Sequence, residues 1–436
     1  MTKTIHVDGR PVWAEISLKA ILRNLAIIRK HVNTTPIRRS EGDGAPQDKR
    51  VISHGEHDGK RLALHERMIL AVVKSNAYGL GAVPIAKALQ KAGTEWFGVT
   101  CANEGIELRE SGIRKRILVL TGFWPGEEKR LLQNFLTPTV TRVDDLRHLE
   151  RAWKYVPGIL RPSSRGGSST HTGTSSHSRR LRFHLKINTG MNRLGISPSE
   201  VGAFAAALAE CPHLELEGTY THFASAEDFI GGQTVTQEEV FRGCVERLRA
   251  LGVSPGIVHL ANSGAICARP ETWADMVRPG AILYGYHQRF DPPEKRQEVM
   301  AEMALEPCLS LRARIISLRD VPAGEAVGYS ARFVTERASK IAVINAGYAD
   351  GVVRARTNRG CALVRERRVP LVGTISMDLT TLDVTDVPGV ELGDVVTIYG
   401  KDGKVAIEVS DVAPEIGTVT SDLLCALGRR VPKYYV

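Results

Sequence analysis

The sequence predicts an α/β protein, with an N-terminal (β/α)8 barrel of the TIM type followed by a mostly β C-terminal domain. Two observations favour this architecture. Eight strand-like apolar runs alternate with helical patterns in the first part of the chain. From about Leu305 the pattern changes to the shorter period of strands, with turn residues between them. We therefore expect a barrel over residues 12–304 and a second domain formed by residues 305–436 together with residues 1–11.

The barrel strands are predicted from short apolar runs, of which "MILAVVK" is the first. Amphipathic patterns such as "VPIAKALQKAG" and "EEVFRGCVERLRALG" lie between the runs and predict helices. A further helix, "SLKAILRNLAIIRKHV", precedes the first strand. The eight predicted strands cover residues 68–74, 96–101, 116–121, 136–140, 181–187, 214–222, 256–261 and 276–284.

Two stretches without apolar periodicity interrupt the barrel pattern, at residues 34–61 and 161–180. Both are rich in Gly, Ser, Thr, Pro or charged residues, a composition typical of surface insertions. His171 and His177 lie in the second stretch. Two isolated histidines in a Ser- and Gly-rich segment indicate a solvated loop rather than a metal site.

Composition and charge narrow the class of protein. The chain has 436 residues and a net charge of +10, with no apolar run of the roughly 18 residues that a membrane helix needs. It begins without a signal-peptide pattern, and its seven cysteines are scattered, so we expect a cytoplasmic protein without disulfides or a zinc site. Nucleic-acid binding is the alternative that the charge raises. Residues 161–182 carry five arginines and no acid, however, and no nucleic-acid-binding motif accompanies them.

Polar or cationic residues stand at one end of five predicted strands. Barrel enzymes collect their catalytic groups at the C-terminal ends of the strands, so these residues should meet at the barrel mouth. Together they predict a cationic cup suited to an anionic, planar ligand. The residues are Lys74, Lys186 with Arg193 beyond it, His222, Asn262 and Ser263 with His259 inside the strand, and Arg278.

The last two barrel strands suggest a phosphate site. The segment "ANSGA" supplies the Ser263 hydroxyl and a glycine, and "RPGA" supplies Gly280, where backbone N–H groups could approach a ligand closely. Lys74 would face this site across the mouth. A lysine opposite a phosphate site is the arrangement that pyridoxal phosphate requires, because the lysine forms a Schiff base while the protein holds the phosphate.

In these motifs the sequence resembles the alanine racemases, a family of fold-type III pyridoxal-phosphate enzymes. The segment "AVVKSNAYGLG" is similar to the family motif around the cofactor lysine. Seven further segments match in family order, which are "KINTGMNRLG", "THFASAE", "HLANSGA", "VRPGAILYG", "VGYSARF", "GYADG" and "GTISMD". The resemblance covers nearly the whole chain outside the two insertions.

The resemblance implies two catalytic bases. Lys74 would hold pyridoxal 5'-phosphate and exchange the proton of D-alanine, while Tyr329, supplied by the other subunit of a homodimer, would serve L-alanine. Racemisation needs a base on each face of the α-carbon, and a tyrosine must be assisted to act as a base near neutrality. Tyr78 would contact the phosphate. The D-alanine would supply peptidoglycan precursors.

The resemblance also implies the surroundings of these bases. Arg278 would contact the pyridine nitrogen, supported by His259, and Lys186 would be carbamylated so that it positions Arg193. The other cofactor contacts would be His222, Asn262, Ser263, Gly280 and Ala281. Arg193 and Met377 would bind the substrate carboxylate, with Asp378 beside Met377 on the partner-subunit loop and Tyr348 gating the access corridor.

Departures and alternatives accompany this interpretation. Arg429 stands where some relatives carry a phosphate-contacting tyrosine, and Ser376 where some have cysteine. A basic amino-acid decarboxylase would share the barrel and the lysine, but Arg278 stands where such enzymes place a glutamate. A serine or broad-specificity racemase would use the same bases. A non-enzymatic pyridoxal-phosphate carrier would consist of a lone barrel, and the second domain argues against it.

Overall fold

The computed structural model describes residues 9–34, 66–155 and 180–436. The two predicted insertions, including His171 and His177, lie outside these residues except for Thr34 and Arg180 at their edges. The described chain begins with strand β1, Val12–Ile16, and helix α1, Leu18–Val32. The Ser17 side chain caps α1 by accepting a hydrogen bond from the Ala20 amide.

Eight strands follow at the eight predicted positions. Each is shorter than the run that predicted it, and the fourth, the weakest prediction, has two residues. The strands are β2 (Met68–Val72), β3 (Trp96–Val99), β4 (Arg116–Val119), β5 (Thr139–Val140), β6 (Leu181–Lys186), β7 (Leu214–Tyr220), β8 (Ile257–His259) and β9 (Met276–Val277).

These strands form the predicted barrel. Two parallel four-stranded sheets have the orders β4-β3-β2-β9 and β5-β6-β7-β8. They join at both edges through backbone hydrogen bonds, from Val119 N to Thr137 O at 2.9 Å and from Arg278 N to Ala261 O at 3.0 Å. The sequence order of the eight strands is therefore also their order around the barrel, and their C-terminal ends meet at one mouth.

The eighth strand was predicted too long. Residues 276–284 were expected as one strand, but β9 ends at Val277 and the chain enters a 3-10 helix at Ala281–Tyr284. Pro279 has no N–H to extend the strand ladder, which explains the early end. The turn places Gly280 at the mouth instead of inside a strand.

The segment α2 (Lys74–Tyr78) is a single turn with left-handed backbone angles. Helices surround the barrel, and those described after α2 are α3 (Ala82–Lys91), α4 (Ala102–Glu110), α5 (Glu128–Gln133), α6 (Asp145–Tyr155), α7 (Val201–Ala209), α8 (Gln233–Ala250), α9 (Ser263–Ala268) and α10 (Glu294–Glu302). None of the helices in the described ranges combines the length and apolar character that crossing a bilayer requires.

The chain from Leu309 onward supplies eight strands of a nine-stranded, mainly antiparallel sheet, and β1 supplies the ninth. The strands and helices of this part of the chain are β10 (Leu309–Val321), β11 (Ser339–Ile344), β12 (Cys361–Val364), β13 (Arg367–Val372), β14 (Thr380–Asp383), β15 (Val395–Asp402), β16 (Val405–Ile407), α11 (Val409–Glu415), α12 (Thr420–Cys425) and β17 (Lys433–Tyr435). The order of strands in the sheet is β16-β15-β12-β13-β14-β11-β10-β1-β17, and β10 also pairs with β15, so part of the sheet closes on itself.

Strand β1 belongs to this C-terminal sheet, where it pairs with β10 along its whole length and with β17. The domain boundaries expected at residues 12 and 304 stay predictions. The pairing favours a first boundary after β1, since the backbone hydrogen bonds of this strand lie in the C-terminal sheet.

The core follows the alternation of side chains along the strands. Ile69 and Ala71 of β2 pack into the large cluster between strands and helices. Leu70 and Val72, on the opposite face of the same strand, belong to a smaller cluster that fills the barrel interior. That interior cluster consists of Leu70, Val72, Trp96, Leu118, Tyr220 and Met276.

Candidate active site

Lys74 follows β2 and opens a left-handed turn. Residues 75–78 all have φ between 53° and 57°, although none is glycine. This conformation costs an L-residue roughly 1–2 kcal/mol, so its surroundings must stabilise it. The Glu104 carboxylate accepts a hydrogen bond from Ser75 N at 2.6 Å, and Asn76 Oδ1 accepts one from Ala82 N at 2.8 Å. The turn reverses the chain so that Lys74 and Tyr78 both lie at the mouth.

A small cradle lies between Tyr78 and the end of β9. A Cβ atom added to Gly280 would lie 2.4 Å from the Tyr78 hydroxyl oxygen and 3.6 Å from Ser263 Oγ. The Gly280 amide donates to Ser263 Oγ at 2.9 Å, and Ala281 follows at the start of the 3-10 helix. Burial raises the pKa of Tyr78 to about 12, so its hydroxyl stays a neutral donor. Asn262 caps α9 and thereby fixes the position of Ser263.

Arg278 is buried, and the described residues give its guanidinium five acceptors, none of which is a carboxylate. Its Nη1 donates to His259 at Nδ1 (3.1 Å) and at the backbone oxygen (2.8 Å). Its Nη2 donates to Thr221 O and Leu260 O, at 2.7 and 2.8 Å, and to His222 Nδ1 at 3.3 Å. Burial lowers its pKa to about 10, which still leaves the guanidinium charged at neutral pH. Among the described residues, Nε has no acceptor.

Two histidines extend the hydrogen-bond network of Arg278 through the barrel interior. His259 Nε2 lies 2.9 Å from His184 Nδ1, and His184 Nε2 lies 3.9 Å from Glu217 Oε2. Arginine can only donate, so His259 accepts at Nδ1 and carries its proton on Nε2, and His184 then has the same tautomer. Burial lowers the pKa of His184 to about 3 and that of His259 well below its ordinary value, which keeps both rings neutral. Glu217 forms an ion pair with Arg116.

Lys186, at the end of β6, is buried among cations. Burial first, and then Arg278, Arg193 and Lys74, lower its pKa to about 8. Burial and these same cations, together with Lys186, hold the pKa of His222 well below its ordinary value. Among the described residues, the charged groups that lower the pKa values of Lys186 and His222 are all cations.

The remaining predicted residues lie on the C-terminal domain. Tyr329 and Met377 are 69% and 52% exposed, and Tyr348 is also exposed. The loops of Tyr348 and Met377 are joined by backbone hydrogen bonds, and Asp378 lies beside Met377. Within the described ranges, no hydrogen bond, ion pair or ring contact joins them to the barrel mouth of the same chain. The structure thus separates the predicted residues into two groups.

Sequence reasoning missed several contributors. The Tyr284 ring packs 5.1 Å from that of Tyr78, and its hydroxyl donates to Val72 O at 2.8 Å. His184 lies two residues before Lys186 on the same face of β6, and this period of two could have indicated it. Arg429, at the position in doubt, is exposed and has no hydrogen-bond partner among the described residues.

Comparisons with known proteins show which family the chain resembles. Family models for the alanine racemase N-terminal and C-terminal domains match residues 58–288 and 308–435. The alanine racemase of Halothermothrix orenii is 35% identical over 368 residues, which cover 84% of this chain and 89% of that protein.

Two solved structures are also similar. The alanine racemase of Streptomyces lavendulae has a TM-score of 0.80 and 29% identity, covering 99% of this chain and 98% of that one. The alanine racemase of Bartonella henselae, with covalently bound pyridoxal phosphate, has a TM-score of 0.76 and 26% identity, covering 98% of this chain and all of that one. With both domain models matched, the resemblance in the motifs is confirmed, and the chain belongs to the alanine racemase family of isomerases.

Proposed function

We propose that this chain interconverts L- and D-alanine with pyridoxal 5'-phosphate as its cofactor. The observation that carries the proposal is the cationic mouth, where Lys186 and His222 are buried and the described charged groups that lower their pKa values are all cations. Such a cluster suits a ligand pair that brings a phosphate and a carboxylate. Family membership supports alanine as the substrate, and the relative with the covalently bound cofactor supports pyridoxal phosphate.

The residues of the cradle fit a phosphate group. The missing side chain at Gly280 leaves space beside two hydroxyl groups, those of Tyr78 and Ser263. Tyr78, Ser263, Gly280 and Ala281 would hold the phosphate, with Asn262 supporting Ser263. Lys74 would bind the aldehyde carbon. When bound, pyridoxal phosphate supplies an electron sink that makes the α-proton of an amino acid easier to remove.

Arg278 would contact the pyridine nitrogen of the cofactor. Its two Nη atoms are occupied by backbone oxygens and imidazoles, whereas Nε has no acceptor among the described residues. Arginine does not give up its proton in proteins, so the ring nitrogen would stay unprotonated. A less electron-withdrawing ring would restrain transamination.

Two residues would move the proton. Lys74 would act on one face of the α-carbon and Tyr329 of the partner subunit on the other, because the proton must leave from one face and return to the opposite one. Since Arg278 donates to Nδ1 of His222, the proton of that ring is on Nε2. This N–H could stabilise a phenolate and so assist Tyr329 of the partner subunit.

The proposed active site is shared between two copies of the chain. The exposure of Tyr329 and Met377, and their separation from the barrel mouth of their own chain, support this arrangement. Arg193 of one subunit and the loop of Met377 and Asp378 of the other would bind the substrate carboxylate. Tyr348 would line the access corridor.

Lys186 would serve the site as a carbamate. Its buried amine lies near Arg193 and Arg278, and an anion there would attract and position Arg193 where an ammonium repels it. The D-alanine product would supply peptidoglycan precursors in the cytoplasm, a role that rests on the family resemblance.

Racemisation by variants tests the proposal. The purified protein with pyridoxal phosphate should convert L-alanine to D-alanine. Lys74→Ala should abolish conversion, whereas Lys91→Ala, at the exposed end of α3, should not change it. Failure of the unaltered protein to racemise alanine would contradict the proposed function. L-serine in the same assay tests the alternative of a serine or broad-specificity racemase.

Proton exchange in deuterated water tests the two bases separately. Tyr329→Phe should slow exchange of the α-proton of L-alanine by about 10²–10⁴-fold, the range for loss of a general base. Exchange from D-alanine should be affected far less, because Lys74 is retained. An equal loss for both enantiomers would contradict the assignment of Tyr329, even if racemisation by the unaltered protein stands.

A further inference from the structure

The carboxylate of Asp350 is fully buried between two arginines that come from opposite ends of the chain. Arg10 Nη1 and Nη2 lie 2.5 and 2.9 Å from its two oxygens. Arg430 Nε and Nη2 lie 2.8 and 3.1 Å from the same pair of oxygens. The Gly347 amide adds a fifth donor at 2.9 Å. Burial alone would raise the pKa of Asp350, but these hydrogen bonds hold it below its ordinary value.

The same two arginines also hold the neighbouring loop. Arg430 Nη2 lies 2.5 Å from Asp378 Oδ1 and 3.4 Å from Met377 O. Arg10 Nη2 donates to Asp378 O at 2.9 Å. We call Arg10, Asp350, Arg430 and Asp378 the charge clamp. Its cations and anions alternate, so each arginine connects the segment of Asp350 to that of Asp378.

The clamp fastens two loops that are already joined. Tyr348 N donates to Ser376 O at 3.0 Å, and Ala349 N donates to Met377 O at 3.1 Å. A Cβ atom at Gly347 would lie 2.4 Å from Met377 O, so the loops approach as closely as a glycine allows. The side chains of Tyr348 and Met377 project from this pair of loops into solvent.

The position of the clamp indicates a role in addition to general stability. The side chains of Arg10 and Arg430 are 26% and 43% exposed, but the carboxylate between them is fully buried, so removal of one arginine leaves it paired with the other. Four charged groups converge on the one pair of loops that the proposed function assigns to the substrate. Arg10 and Arg430 reach it from the segments before β1 and β17, which are adjacent strands.

We propose that Arg10, Asp350 and Arg430 are positioning residues that hold the loops of Tyr348 and Met377 in the conformation that completes the substrate site of the partner subunit. This inference rests on the proposed function. It assigns the clamp to substrate binding rather than to proton transfer, and to the site of the other chain rather than to its own.

The first test separates binding from chemistry. Arg430→Gln should raise the KM for L-alanine by about tenfold, as for loss of charge-assisted hydrogen bonds, while kcat changes less than about threefold. Arg430→Lys keeps the charge but not the paired hydrogen-bond geometry, so its KM should lie between those of the unaltered enzyme and Arg430→Gln. The matched control is Arg319→Gln, an exposed arginine on β10 without a hydrogen bond or ion pair in the described ranges, which should change neither constant. An unchanged KM in Arg430→Gln would overturn the proposal.

Hydrogen exchange supplies a readout without substrate or cofactor. In Arg430→Gln the amides of residues 347–350 and 376–379 should exchange faster, while those of the barrel strands should not. A uniform increase over the whole C-terminal domain would indicate a general structural role instead, and would overturn the positioning role.

Mixed dimers test in which subunit the clamp acts. A Lys74→Ala chain paired with an Arg430→Gln chain forms one site from an intact barrel and intact loops, and this site should have the KM of the unaltered enzyme. A raised KM would show that the clamp acts within its own chain and would overturn the inference. The control pairs Lys74→Ala with Tyr329→Ala. If the control pair regains activity but the clamp pair keeps a raised KM, the proposed role of the clamp is wrong and the shared site stands. If the control pair also stays inactive, the shared site is wrong, and the proposed role of the clamp is wrong with it.

Discussion

Lys186 should bind carbon dioxide as a carbamate when bicarbonate is present. The reaction requires the neutral amine, whose nitrogen attacks the carbon of carbon dioxide and then releases a proton. Because burial and neighbouring cations lower the pKa of Lys186 from 10.5 to about 8, this form is common. At pH 7 about one Lys186 in ten is neutral, against about one in 3,000 for an ordinary lysine, a difference of roughly 300-fold.

The lowered pKa also has a cost in stability. The folded protein binds fewer protons than the unfolded chain between about pH 8 and 10.5, so Lys186 makes stability rise with pH in this window. Below pH 8 the buried ammonium lowers the free energy of unfolding by its full amount, roughly 3 kcal/mol. A carbamate replaces that cation with an anion near Arg193 and Arg278, which removes the repulsion.

Carbon-13 NMR with labelled bicarbonate measures this directly. At pH 8 the protein should give a carbamate signal that Lys186→Met lacks, and bicarbonate should raise the melting temperature of the unaltered protein but not that of the variant. The absence of any signal that depends on Lys186 at saturating bicarbonate would refute the reasoning. An electron-density map with a bare ammonium under the same conditions would do so as well.

Two further predictions concern the cradle and the histidines. Gly280→Ala should weaken binding of pyridoxal phosphate by about tenfold or more in an equilibrium titration, because the new Cβ would lie 2.4 Å from the Tyr78 hydroxyl. Gly243→Ala, in α8 with open space around it, should bind normally and unfold at a higher temperature, so similar losses in both would contradict this account. Nitrogen-15 NMR should find His184 and His259 neutral and protonated on Nε2 at pH 6. Protonation of either ring on Nδ1 would contradict the hydrogen bonds that run from Arg278 through His259 to His184.

The barrel could be predicted from sequence because its signal is local. Each strand is an apolar run a few residues long, and all eight occur at the expected positions. The ends of the strands are less well encoded, because an apolar run continues into the turn that follows. Residues 276–284 illustrate this, since only the Pro279–Gly280 pair indicates where the strand stops.

Some parts of the candidate site could be predicted from the sequence and others could not. The residues at the barrel mouth could be predicted because each follows a strand and the strands fix where they meet. The left-handed turn at residues 75–78 could not, because of its four residues only Asn76 is of a type that favours positive φ. The charge clamp could not either, since Arg10 and Asp350 are 340 residues apart and nothing local connects them.

The most direct test of the central claim is the visible absorption spectrum of the purified protein before and after borohydride reduction, with alanine racemisation assayed on the same sample. The account predicts a cofactor band that borohydride abolishes, reduced cofactor on the peptide that contains Lys74, and D-alanine formed from L-alanine before reduction but not after it. A protein that gains no band from added pyridoxal phosphate, or that carries the reduced cofactor on a different lysine, would contradict it.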